Sequence, residues 1–145
     1  TKKEEEITPG KPTSHKTMLS TRISNSVVRS QIFPRLKIGN QRNVMTTARI
    51  GTDDPRMSRI VVHNGVVYIS GQTDATAADI AGQTTNVLAK VDDLLSRAGT
   101  SKSNLLTASI WLKDINRDFL GMNGVWNEWV DPGNKPVRAT VEAAL

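Results

Sequence analysis

Leu105-Leu106-Thr107-Ala108-Ser109-Ile110-Trp111-Leu112, then Asn116 to Val130, then Pro136-Val137-Arg138-Ala139-Thr140-Val141-Glu142: the order of these three stretches decides the fold of this 145-residue chain. The first is an apolar run of strand length. In the second, Asn116 can cap a helix over Arg117 to Val130, whose Phe119, Met122, Trp126 and Trp129 recur at spacings of three and four and so share one face. Asp131-Pro132-Gly133-Asn134 is a turn. The third is a strand, in which Arg138, Thr140 and Glu142 face one side and Val137, Ala139 and Val141 the other. A helix crossing between two strands implies that they pair in parallel.

Upstream, Met45 to Ile50 is a candidate strand and Asp53-Asp54-Pro55 a loop. Arg59 to His63 and Val66 to Ser70 flank Asn64-Gly65, a pair that tolerates positive φ and predicts a tight hairpin. A helix is expected from about Ala77 to Ala98, with Ile80, Thr84, Val87, Leu88, Val91, Leu94 and Leu95 on one stripe and Gly99 as its stop. The sum is an α+β domain, a mixed sheet with two helices packed on one face. Val67, Ile69, Thr107, Ser109 and Trp111 are expected on the other face. They are too apolar to be left bare, which predicts a closed oligomer packed through its sheets.

Composition removes several function classes. With no cysteine there is no disulfide framework, thiolate zinc site or cysteine nucleophile, and two histidines, His15 and His63, are too few for a histidine metal cluster. No apolar run reaches membrane-spanning length. The net charge of +5 is unevenly placed: residues 1–52 hold ten Lys/Arg and three Asp/Glu, whereas residues 53–145 hold nine and eleven, giving +7 and −2. The later part therefore offers nucleic acid little to grip. Residues 1–44 read as a basic flexible leader, either transit-like or an extension foreign to the domain, with Met18 to Phe33 able to form a basic amphipathic helix. A transit role would place the protein in mitochondria; otherwise it is expected in the cytoplasm.

Arg138 is the one cation inside an apolar strand. A guanidinium keeps its charge and presents a planar fork, so when half-buried it requires an internal acid, a route to solvent at the sheet edge, or an anionic ligand. The strand alone leaves those choices open.

Across residues 46–145 the chain resembles the Rid family of reactive-intermediate deaminases, also called YjgF-like or L-PSP endoribonuclease-like. The resemblance is carried by Val67-Tyr68-Ile69-Ser70-Gly71-Gln72, Asp79-Ile80-Ala81-Gly82-Gln83-Thr84, Leu112-Lys113-Asp114-Ile115, Phe119-Leu120-Gly121-Met122-Asn123-Gly124-Val125-Trp126 and Pro136 to Glu142, in that order. It implies a chorismate-mutase-like fold, a homotrimer with clefts between subunits, and hydrolysis of 2-imino acids to 2-oxo acids and ammonia without metal or organic cofactor. By the same resemblance Arg138 grips the substrate carboxylate. Gly71 lets substrate approach the backbone, or is a simple bulge; Asn123 lies beside the cleft, or is a helix-packing amide. Thr140 holds a water, or back-bonds locally. Ser70 has no base near it in sequence and reads as structural.

Two departures stand against this. The family places a tyrosine in the loop before the hairpin, where this chain has Asp54-Pro55-Arg56-Met57. It also continues into a last strand carrying a water-polarising glutamate, and residues 45–145 read as a domain lacking that strand; Glu142 sits too early to replace it. The interior gap so left would be filled by residues beyond Leu145, by another subunit or by another segment. The rivals to a deaminase are a non-catalytic metabolite-binding or structural subunit of a larger assembly and, with least in its favour, an endoribonuclease or translation inhibitor.

Overall fold

A computed structural model of the protein describes residues 17–24 and 46–144. The expected hairpin is present. Strands β2 (Thr47–Ile50), β3 (Ile60–His63) and β4 (Val66–Ile69) pair antiparallel in series, with β3 and β4 joined through Asn64 and Gly65 at φ +51° and +74°. Ser70 and Gly71 separate β4 from a short strand, β5 (Gln72–Asp74), which the sequence did not predict. Helix α1 (Ile80–Arg97) starts three residues later than expected, because Asp79 caps it by accepting from Gly82 N at 2.7 Å. Strand β6 (Leu105–Leu112) leads through helix α2 (Ile115–Trp129) to β7 (Val137–Glu142), and β6 and β7 are parallel, as the crossover requires.

The cap of α2 is Asp114, two residues before the expected Asn116. Its carboxylate accepts from Arg117 N at 3.0 Å, and the Glu142 carboxylate of β7 accepts from Ile115 N at 2.9 Å. Two anions therefore satisfy two of the orphan amides at the positive end of α2.

The larger correction concerns the leader. Thr17–Ser24 is a strand, β1, and not part of an amphipathic helix; the rest of Met18 to Phe33 lies outside the described residues. The sheet runs β2-β3-β4-β1-β6-β7, with β5 also paired to β1. Strand β1 is antiparallel to β4, β5 and β6, so among the described strands it alone joins the hairpin half of the sheet to the β6–β7 half. The expected interior gap is thus occupied by a segment of the chain itself.

Both helices cover one face. Ile60, Val67, Ile69, Ala108, Ile110 and Leu112 of the sheet pack with Val87, Leu88, Val91, Leu94 and Leu95 of α1 and Met122 and Trp126 of α2. Each large side chain so removed from water contributes about 1.5–3 kcal/mol. The helices cross closely at Gly121, where a Cβ would stand 2.6 Å from Ile80 Cγ2. Farther along, Trp129 Nε1 donates to Asp92 Oδ2 at 2.8 Å. Val67 and Ile69 belong to this buried face, contrary to expectation, because the alternation of β4 turns Tyr68 outward instead. The open face carries Tyr68, Val137 and Val141, which are 39–72 % exposed, beside half-buried Thr107, Ser109 and Trp111. Among the described residues no helix is long and apolar enough to cross a membrane.

Candidate functional site

Strand β7 pairs Arg138 with Ala108 and Thr140 with Ile110 on β6, and both partners are buried beneath the helices. The pleat therefore sends Arg138 and Thr140 to the helix side and leaves Val137 and Val141 on the open face. Helix α2 passes over this region and supplies Trp126, whose ring centroid lies 5.1 Å from Arg138 Cζ. Asn123 precedes Trp126 by one helical turn and so shares its side of the helix.

These side chains have one property in common. Arg138 Nη1, Thr140 Oγ1 and Asn123 Oδ1 are buried and have no hydrogen-bond partner among the described residues. A buried polar atom left unpaired costs about 1–3 kcal/mol, more when charged, so three around one helix–strand junction are not what stability alone would select. No carboxylate among the described residues forms an ion pair with Arg138. Burial pushes its guanidinium pKa down from the usual value, but an arginine stays protonated at neutral pH. The junction thus holds a whole positive charge whose neighbour is a neutral aromatic ring. It can pair with a small anion, while Asn123 Oδ1 can accept a hydrogen bond from a ligand N–H and Thr140 Oγ1 can hold a hydroxyl or water.

Three of the residues singled out in the sequence, Arg138, Thr140 and Asn123, carry those orphan atoms. Gly71 does not join them within the protomer. It lies between β4 and β5, and β1 and β6 separate that region from β7, a distance of roughly 14 Å at ordinary strand spacing. Its carbonyl, with Ser70 O and Ser70 Oγ, accepts from Gln72 Nε2 at 2.9–3.2 Å, which gives Ser70 a structural role. Glu142 accepts from the α2 amide of Ile115. In the loop where the resemblance places a tyrosine, Arg56 forms a fork with Asp54 through Nε at 3.1 Å and Nη2 at 3.0 Å.

Sequence reasoning placed Trp126 on the packing stripe only, because its place beside Arg138 depends on how α2 lies over β7. It also missed a second polar region. A hollow of about 680 Å³ beside α1 is lined by Arg59, Gln72, Asp74, Asn86, Lys90 and Arg97 among others, and none of the three orphan-bearing residues borders it. Asp74 is buried there and saturated: it accepts from Thr76 N and Ala77 N at 3.1 Å, Thr76 Oγ1 at 3.0 Å, Asn86 Nδ2 at 3.2 Å and Lys90 Nζ at 3.4 Å. Burial opposes its charge, but the bonds from Ala77, Asn86 and Thr76 outweigh burial and hold the carboxyl well below the usual carboxylate range.

Comparison with known proteins accords with this architecture. The family model described as endoribonuclease L-PSP matches residues 51–145. The RutC family protein YoaB of Escherichia coli K12 is 44 % identical over 101 residues, covering 70 % of this chain and 87 % of that protein. A solved structure of a YjgF-family member from Neisseria meningitidis is 42 % identical with a TM-score of 0.66, covering 70 % of this chain and 83 % of the other. A Rid-family structure from Yersinia pestis, of unknown function, is 28 % identical with a TM-score of 0.61 and covers 68 % and 86 %. A sheet with two helices on one face, an arginine in β7 with no ion-pair partner among the described residues and these matches place the chain: it belongs to the Rid family, the RutC and YjgF-like proteins that the endoribonuclease L-PSP model describes.

Proposed function

We propose that the protein hydrolyses small, reactive 2-imino acids, such as 2-iminopropanoate and 2-iminobutanoate, to 2-oxo acids and ammonia. The observation that carries this reading is the buried Arg138 Nη1, a charged donor with no acid to pair with among the described residues. Pairing it with a substrate carboxylate would contribute about 1.5–3 kcal/mol of binding. An imine conjugated to a carboxylate is already electrophilic, so the protein has mainly to orient it and bring water to its carbon. Water adds to the C=N carbon, the resulting carbinolamine transfers a proton to nitrogen, and collapse breaks the C–N bond to give the oxo acid and ammonia. Asn123 Oδ1 suits the iminium N–H, and Thr140 Oγ1 suits the water. No metal or organic cofactor is invoked.

The working form is a homotrimer packed through the open sheet face, where Val137 is 72 % and Val141 45 % exposed in the protomer. Such packing would also give Gly71 a route to the site, across a seam rather than within one chain. That apolar face also favours a second reading, a carboxylate-binding subunit of a larger assembly. Imine generated in situ separates the two: ammonia release should be accelerated by the wild-type protein and fall to the uncatalysed rate with Arg138→Ala. Equal release by both proteins would reject the enzyme.

A further inference from the structure

Among the described residues Arg138 has an aromatic ring and no acid beside it, and that choice has chemical content. A carboxylate partner would fix the guanidinium but cancel its charge; an aromatic face attracts the cation through its quadrupole and leaves the N–H edge unspent. Trp126 is itself buried and braced. Its ring lies 5.3 Å from that of Trp129 at 53°, Trp129 is tied to α1 through Asp92, and Lys102 Nζ stands 5.4 Å from the Trp129 ring centroid. A chain of contacts thus runs from Asp92 through Trp129 and Trp126 to the Arg138 head, ending on the orphan Nη1.

We infer that Trp126 is a positioning residue that sets the site's preference for anionic over neutral ligands, by holding Arg138 in place without neutralising it. This rests on the reading of Arg138 as a carboxylate anchor and adds to it a determinant of specificity. A residue that merely filled the core would influence every ligand alike. A residue that orients the cation acts on the carboxylate alone.

The test compares binding of 2-oxobutanoate and its neutral carboxamide to the full-length protein, by calorimetry, in wild type, Trp126→Phe, Trp126→Leu and Arg138→Met. The Kd for the acid should rise about two- to threefold in Trp126→Phe, which keeps a smaller ring, and about tenfold in Trp126→Leu, with the amide unchanged in both. Should the leucine variant fail to fold, the phenylalanine variant decides the matter by its acid-to-amide ratio. Equal weakening of acid and amide would overturn the inference and leave Trp126 a packing residue. If Arg138→Met loses acid binding while neither tryptophan variant does, this inference alone fails. If Arg138→Met binds the acid as wild type does, the anchor reading fails with it.

Discussion

Asp74 on β5 and Arg138 on β7 are charges drawn into the fold in different halves of the sheet, and their surroundings are opposite. The Asp74 carboxylate receives two backbone amides, a hydroxyl, an amide side chain and an ammonium. It ties the loop after β5 to α1, through Asn86 and Lys90 one helical turn apart. The Arg138 guanidinium has an aromatic ring beside it and a buried N–H that no group among the described residues accepts. A fold with no external use for a buried charge surrounds it, as at Asp74. One that leaves it unsatisfied gives up stability, and such sites are where function is sought.

The contrast breaks most visibly if stability and activity fail to separate. Asp74→Ala should lose roughly 2–4 kcal/mol of unfolding free energy in urea titration, with normal turnover in the molecules that remain folded. A loss under about 1 kcal/mol would remove Asp74 as the structural pole. Arg138→Met should do the reverse. Its kcat/KM for an imino acid should fall about 100-fold, while its unfolding free energy holds level or rises by up to about 1 kcal/mol, since a desolvated charge is removed. Thr140→Val sharpens the same point on a smaller scale, with about a tenfold fall in kcat/KM and an unchanged Tm. The smallest effect is in pH. Because the Asp74 carboxyl is depressed in the folded state, its contribution is complete above the unfolded-state pKa near 4 and is lost as pH falls below it. Urea titrations from pH 6 to pH 3 should therefore show acid destabilisation that is about 1 kcal/mol weaker in Asp74→Asn.

What the sequence could reveal follows the range of the interactions involved. The β3–β4 hairpin and both helical stripes were legible because turn chemistry and periodicity are local. Strand β1 was not: its serines, threonines and arginine read as part of a basic, transit-like leader, and the partners that make it a strand lie some 40 to 90 residues downstream. Strand faces could be misassigned where both sides are apolar, as with Val67 and Ile69. The cap of α2 was misplaced because Asp114 and Asn116 are both good caps, and Glu142, distant in sequence, helps decide between them. Arg138 and Asn123 drew notice because each interrupts an apolar pattern, whereas Thr140 was singled out through the family resemblance. Trp126 could not be separated from the core stripe, since its second role depends on a strand that follows it by twelve residues. The Asp74 cluster was missed because no single residue in it departs from the ordinary composition of a loop and helix.

The central claim is that the Arg138 charge is reserved for a small organic anion, and ligand-dependent thermal stability tests it most directly. Millimolar 2-oxobutanoate should raise the Tm of the wild-type protein by several degrees and leave Arg138→Met unmoved, because only a ligand that binds the folded site stabilises it. An equal rise in both proteins, or none in the wild type up to saturating oxo acid, would contradict the account.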